Sequence, residues 1–276
     1  MPVCLSIQSL VVAGAVGHGA SAFALAAEGV EVWPLPTVVL SGHAATPGVR
    51  GEQLTGTQIA ALAEGVRSGG LAQIDALLLG YLSNVGVAEG LGPLLRHVPP
   101  GAAILCDPVL GDDGRLYLPE AMIAAYREHI LPYAQILTPN VDELGWLTGM
   151  PVRSIEQIRA AAQSIVTKAL QVVHITSVPA PRKVGIMTVT AEGAWLSSAP
   201  KAPLRVNGAG DFVAALLLAE RLRGVPPEIG AARVTAATGA LAQEALRLGR
   251  DTLPVVAAQR LWQAERHKSH PVERLS

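Results

Sequence analysis

Ala103-Ile104-Leu105-Cys106-Asp107-Pro108 sets four apolar residues in a row ahead of an acidic residue and a proline. A strand with one wet face alternates apolar and polar residues. An unbroken Val/Ile/Leu-type run is instead expected of a strand covered on both faces. Similar runs occupy residues 3–7, 30–35, 76–79, 135–137 and 172–175. Helical periodicity fills the longer stretches between them. Residues 21–28 stop at Gly29, residues 57–67 stop near Gly69-Gly70, and Pro119 opens a helix to about residue 130. Buried strands alternating with helices predict an α/β fold with three layers, a central mostly parallel sheet flanked by helices.

Beyond Ile175 the spacing tightens. Residues 185–190 and 194–197 flank Glu192-Gly193, which predicts an antiparallel hairpin and hence a mixed sheet. Helical stretches at residues 210–222, 227–246 and 253–267 follow, and the polar tail 268–276 is expected to fray. Residues 38–55, rich in Gly, Pro and small polar side chains, suit a flap over a site better than a crossover helix.

No long linker divides the chain, so residues 1–276 are expected to form a single domain. Half the residues are hydrophobic and 16% are charged, enough apolar material for a large core. A net charge of -1 without a Lys/Arg run leaves no electrostatic footprint for nucleic acid. Cys4 and Cys106 lie in apolar stretches and are expected as free thiols, which fits a reducing cytoplasm. Met1-Pro2-Val3 brings no basic region, and the apolar run 10–17 is too short to cross a bilayer, so no membrane association is expected. The histidines and cysteines show no zinc-ligand spacing.

The chemistry concentrates in Asn207-Gly208-Ala209-Gly210-Asp211, directly before an apolar helical stretch. Two glycines let backbone N–H groups close on an anion, and a helix N-terminus adds positive partial charge at the same point. An Asp here could accept a proton from an attacking hydroxyl while the amides hold a phosphoryl group. The pentapeptide alone equally permits a turn in which Asp211 caps the helix. Gly14-Ala15-Val16-Gly17-His18-Gly19 lacks the phase of a dinucleotide fingerprint and reads as a close backbone approach to substrate beside Ser9. There is no GxxxxGK[ST] motif. Trp146, Trp195 and Trp262 read as packing residues.

Gly208-Ala209-Gly210-Asp211 resembles the GxGD signature of the ribokinase superfamily. Ser6-Ile7-Gln8-Ser9, Trp33-Pro34-Leu35, Gly80-Tyr81-Leu82, Asp107-Pro108-Val109-Leu110-Gly111-Asp112 and Thr138-Pro139-Asn140 with Glu143 resemble pyridoxal kinases in order and spacing. The likeness covers nearly the whole chain. It implies a ribokinase-like fold and an enzyme that phosphorylates the 5′-hydroxymethyl group of pyridoxal with ATP, in vitamin B6 salvage. Carried over by position, Asp211 is the base and Gly208, Ala209 and Gly210 form the anion hole. Ser9, His43 and Tyr81 line the vitamin pocket. Asp107, Thr138, Asn140, Glu143, Thr176 and Ser177 belong to the ATP site, and Asp107 and Asp112 to Mg²⁺. The resemblance further implies a homodimer and a monovalent cation, K⁺ or Na⁺, near Asp107, Thr138 and Thr176. Taken without it, Asp107-Pro108 and Asp112-Asp113-Gly114 are ordinary turns. The chain departs from the family at Ser41-Gly42-His43-Ala44, where an Asn and a Thr commonly flank the His. A hydroxymethylpyrimidine kinase of the same superfamily, or a vitamin-binding protein without turnover, therefore stays open.

Overall fold

The computed structural model describes residues 1–44, 46–203, 206–268 and 270–275. Parts of the expected flap (Ala45), of the stretch before the Gly208–Asp211 motif (Leu204, Arg205) and of the tail (Ser269, Ser276) lie outside these residues. The first half runs β1 (Val3–Ala13), α1 (His18–Ala27), β2 (Glu31–Gly42), β3 (Gly51–Gln53), α2 (Gly56–Gly69), β4 (Ala76–Leu79), α3 (Val85–Leu95), β5 (Ala103–Cys106), β6 (Gly111–Asp112), β7 (Arg115–Leu116), α4 (Ala121–Ala125) and β8 (Ile136–Leu137). The second continues with α5 (Val141–Thr148), α6 (Ile155–Ile165), β9 (Val172–Ala180), β10 (Lys183–Thr190), β11 (Gly193–Pro200), α7 (Ala209–Leu222), α8 (Pro227–Arg247), α9 (Gln259–Arg266) and β12 (Glu273–Leu275).

Ten strands form one sheet in the order β12-β11-β10-β9-β8-β5-β4-β1-β2-β3. The middle of it, from β2 through β1, β4, β5 and β8 to β9, is parallel, and β3, β10, β11 and β12 are added antiparallel at the two edges. The mixed sheet and its hairpin are as the sequence predicts. Successive strand residues point to opposite faces, so Leu5, Ile7, Leu77 and Leu79 pack into one apolar layer with the residues of α2 to α6. Cys4, Ala76, Leu78 and Leu105 pack into the other with α1, α7, α8 and α9. Both cysteines are buried free thiols, and burial pushes Cys4 up to about 12.

Several boundaries differ from the sequence reading for physical reasons. β1 continues past Ile7 to Ala13 because Leu10–Ala13 pairs with the far end of β2, after a register shift between Gln8 and Leu10. Ser9 is therefore a mid-strand residue rather than a strand-end one. Within the expected flap, Val38–Leu40 and Gly51–Gln53 pair antiparallel, so much of it is sheet. The helix from Pro119 is α only to Ala125, and Tyr126–Ile130 form a wider turn. α3 escaped the reading because Gly86, Gly90, Gly92 and Pro93 weaken its signature. Gly90 has a packing reason: a Cβ there would meet the Gly56 carbonyl oxygen of α2 at 2.6 Å. The last helix starts at Gln259, not at Leu253, since Asn207 pairs with Thr252 as a β-bridge and holds that segment extended.

The tail corrects another expectation. Residues 273–275 form β12 on the edge of β11 instead of fraying, and the Arg274 guanidinium lies 5.8 Å from the Trp195 ring. Trp262 is fully buried, edge-on to Phe212 at 5.3 Å, with its indole N–H donating to the Val255 carbonyl. Trp146 packs against the core partly buried.

Candidate active site

The C-terminal ends of β5 and β8 and the middle of β9 face the N-terminus of α7 across an open cleft of about 410 Å³. Ligands of open α/β sheets bind at such strand ends. Gly208 stands at the N-cap of α7 with φ 82°, and a Cβ there would collide with the Ala15 carbonyl oxygen. Only glycine fits both the left-handed backbone and that contact. The segment Ala209-Gly210-Asp211 then forms the first turn of α7, its amides unpaired by the helix itself. Asn207 is tied behind it, its N–H donating to the Asp251 carbonyl at 2.8 Å.

Asp211 lies half-buried on the cleft wall, and its Oδ2 accepts the Gly17 N–H at 2.8 Å. Burial raises its carboxyl above the ordinary carboxylate value, opposed by the Gly17 amide and by the charge of His43. The contact with Gly17 escaped the sequence reading, although the Gly14–Gly19 run was its signal. That run approaches the loop before α7, and a Cβ on Gly17 would collide with Ser9. Its close approach is to Asp211 and Ser9 themselves.

Opposite, Asp107 ends β5 at 8% exposure, and a Cβ on Gly210 would sit 3.7 Å from its Oδ2. Burial, reinforced by the negative charges of Glu143 and Asp211, raises Asp107 well above its usual value, while the Thr138 hydroxyl pulls it down. Glu143 reciprocates with Asn140 in a capping box at the start of α5. Its Oε1 accepts Leu110 N–H at 2.8 Å and its Oε2 accepts Asn140 N–H at 2.8 Å. The Asn140 side-chain amide donates to the Gly111 carbonyl at 2.7 Å. Glu143 and Asn140 thus fasten the 108–112 loop, in which Val109 is held at φ 31°, a costly angle for a β-branched residue.

The structure brings His43, Asp107, Asp112, Asn140, Glu143, Thr176, Ser177, Gly208, Ala209, Gly210 and Asp211 onto this one cleft. Thr138 lies beneath it, buried behind Asp107. Ser9 and Tyr81 do not line it. Ser9 sits beside Gly17, and Tyr81 is half-buried at the end of β4, its carbonyl accepting the Thr37 hydroxyl at 2.7 Å. Away from Asp211 the cleft is walled by Val184 and Ile186 of β10 and by Thr235, Thr238 and Gly239 of α8, positions the sequence reading left unassigned. No helix among the described residues is long and apolar enough to cross a membrane.

The phosphomethylpyrimidine kinase family matches residues 52–256. A pyridoxal kinase of Rubrobacter xylanophilus is 36% identical over 92% of this chain and 91% of its own length. The pyridoxal kinase of Arabidopsis thaliana is 34% identical over 78% of this chain and 72% of its own. Pyridoxal kinase from Leishmania donovani, solved in complex with ADP and pyridoxamine, superposes with a TM-score of 0.92 at 26% identity, covering 100% of both chains. With an acidic base candidate at a glycine-formed helix N-terminus and relatives alike over most of its length, the chain belongs to the pyridoxal kinase family of the ribokinase-like fold.

Proposed function

We propose that this protein transfers the γ-phosphoryl group of ATP to the 5′-hydroxymethyl group of pyridoxal, with related B6 vitamers as further acceptors, in vitamin B6 salvage. The observation that carries this reading is the juxtaposition of the Asp211 carboxylate, held by the Gly17 amide, with the amides of the Gly208–Gly210 turn. Asp211 accepts the hydroxyl proton as the oxygen attacks. Amides of the turn, aided by the helix dipole, hold the charge on the transferring phosphoryl. The nucleotide lies along the cleft toward β10 and α8, and the vitamin on the Ser9, His43 and Tyr81 side.

The carboxylates fit a cation. Asp107 is buried next to like charges, a cost a positive ion relieves. Among the described residues no set of three or more His, Cys, Asp or Glu is arranged to hold a metal by itself. Mg²⁺ is commonly held by one or two carboxylates plus substrate phosphates, and Asp107 and Asp112 are the residues for it here. Bound there with the nucleotide, it supplies charge neutralisation on the phosphates. Asp107, Thr138 and Thr176 offer oxygens for K⁺ or Na⁺. A homodimer in the cytoplasm completes the reading.

Gly42 and Ala44 place no hydrogen-bonding side chain on the flap beside His43, which keeps hydroxymethylpyrimidine as the alternative acceptor. ADP release from MgATP with pyridoxal, pyridoxamine, pyridoxine or hydroxymethylpyrimidine decides between them. Preference for pyridoxal supports the proposal, preference for the pyrimidine replaces the substrate, and no release with any acceptor removes the catalytic reading. The anion hole has its own test. Gly208→Ala forces a Cβ against Ala15, and the displaced turn should lower kcat by about 10²-fold in the same assay.

A further inference from the structure

Behind Gly17 lies a closed set of polar side chains that the phosphoryl transfer does not use. Ser6, Gln8, His18 and Ser21 are 0%, 1%, 4% and 0% exposed. The Gln8 amide nitrogen reaches both Ser6 Oγ and Ser21 Oγ at 2.7 Å. Ser6 Oγ lies 3.3 Å from His18 Nδ1, and Ser21 Oγ donates to the Gly17 carbonyl at 3.0 Å. Burial lowers His18 to about 4, so its ring is neutral at ordinary pH. The donors then order themselves. Both Gln8 N–H bonds are taken by the serine oxygens, which turns the Ser21 hydroxyl proton to Gly17 and the Ser6 proton to His18 Nδ1.

We infer that Gln8, through Ser21, is a positioning device that seats the Gly17 turn at the start of α1 and so supports the N–H that meets Asp211 Oδ2. Gly17 is the N-cap of α1 at φ 55°, its carbonyl accepts the backbone N–H groups of Ala20 and Ser21 at 3.1 and 3.0 Å, and Leu10 faces it across a β-bridge. Ser21 adds its hydroxyl to that carbonyl and Ser6 ties the neighbouring His18, so the turn that carries the amide meeting Asp211 is held by side chains as well as by the backbone. Gly80 belongs to the same arrangement, since a Cβ there would sit 2.9 Å from the Gln8 Cβ. His18 Nε2 has no partner among the described residues, while the bonds of Gln8, Ser6 and Ser21 select one geometry, which a purely apolar filling would not. None of these four side chains lines the cleft. They act on the reaction only through Gly17.

The inference rests on Asp211 as the base, so Asp211→Asn is measured alongside. Ser21→Ala and Gln8→Met are compared with Thr188→Val, which removes a buried hydroxyl bonded to His174 at 2.9 Å outside the cleft lining. The readouts are the single-turnover rate of pyridoxal phosphorylation at saturating MgATP, the KM for both substrates, and the thermal midpoint. Ser21→Ala and Gln8→Met should slow single turnover between about threefold and tenfold, the size of one lost hydrogen bond, with both KM values unchanged. Thr188→Val should lower the midpoint with no change in rate. If the two variants lose stability as Thr188→Val does but keep the wild-type rate, the network is structural only and the inference is overturned. A fully active Asp211→Asn removes the base assignment itself, an outcome distinct from an inactive Asp211→Asn beside an unimpaired Ser21→Ala.

Discussion

Asp211→Asn should lower kcat by roughly 10²- to 10⁴-fold, the usual contribution of a positioned general base, while binding of ADP and pyridoxal stays measurable. Asparagine keeps an oxygen for the Gly17 amide but has no basic lone pair for the substrate proton. The surviving rate comes from the Gly208–Gly210 amides and from orientation. The wild-type pH profile carries the same assignment. A base works ionised, and burial raises the Asp211 carboxyl above the ordinary range. Its kcat/KM should therefore be level above the folded-state pKa and fall roughly tenfold per pH unit below it. Stability should move the other way. A carboxyl with a raised folded pKa binds its proton more tightly in the folded state, so its charged form costs stability as pH rises through that value. Near neutral pH the Asn variant should melt no lower than wild type. A variant that turns over normally, or a profile without an acid limb, removes Asp211 from the mechanism.

Arg266→Met should destabilise the protein by about 3 kcal/mol or more, within the range found when one partner of a buried ion pair is deleted. The Arg266 side chain is 1% exposed and pairs with Glu28, 3% exposed, and with Glu220 at 2.7 Å, 2% exposed. It joins α9 to the end of α1 and to α7. Without it the two buried carboxylates keep the outer arginines, Arg223 on Glu28 at 2.5 Å and Arg233 on Glu220 at 3.2 Å, and Glu28 the Gln263 amide at 3.5 Å. Those arginines are 40% and 36% exposed, so water screens their charge. Urea unfolding followed by circular dichroism measures the change. A loss under about 1 kcal/mol would mean that the outer arginines suffice. Because Trp262 of α9 packs on Phe212, the residue after Asp211, loosening α9 also loosens the first turn of α7.

The parallel middle of the sheet was legible because its strands are buried on both faces, and burial on both faces leaves continuous apolar runs such as Ala76–Leu79 and Ala103–Cys106. The short antiparallel additions were not, because β3 and β12 span three residues each and are exposed or polar. Their existence depends on a neighbouring edge, which no local pattern encodes. α3 was hidden by glycines whose reason is contact with α2.

The site divides in the same way. Gly208, Gly210 and Asp211 could be picked out because their chemistry needs them adjacent in the chain, as a turn at a helix N-terminus. The resemblance to pyridoxal kinases supplied Asp107, Asp112, Asn140, Glu143, Thr176 and Ser177, and the structure sets all of them on one cleft with Asp211. What only the tertiary structure decided is how the Asp211 carboxylate is held. Gly17 lies 194 positions from Asp211 in sequence, and a single backbone N–H joins them. Every residue but proline carries such a donor, so no side chain announces it. The sequence by itself therefore determined the parallel strands, the glycine turn and the acid within it. The fold alone chose which backbone amide meets that acid, because that choice is set by the packing of β1 and α1 against α7.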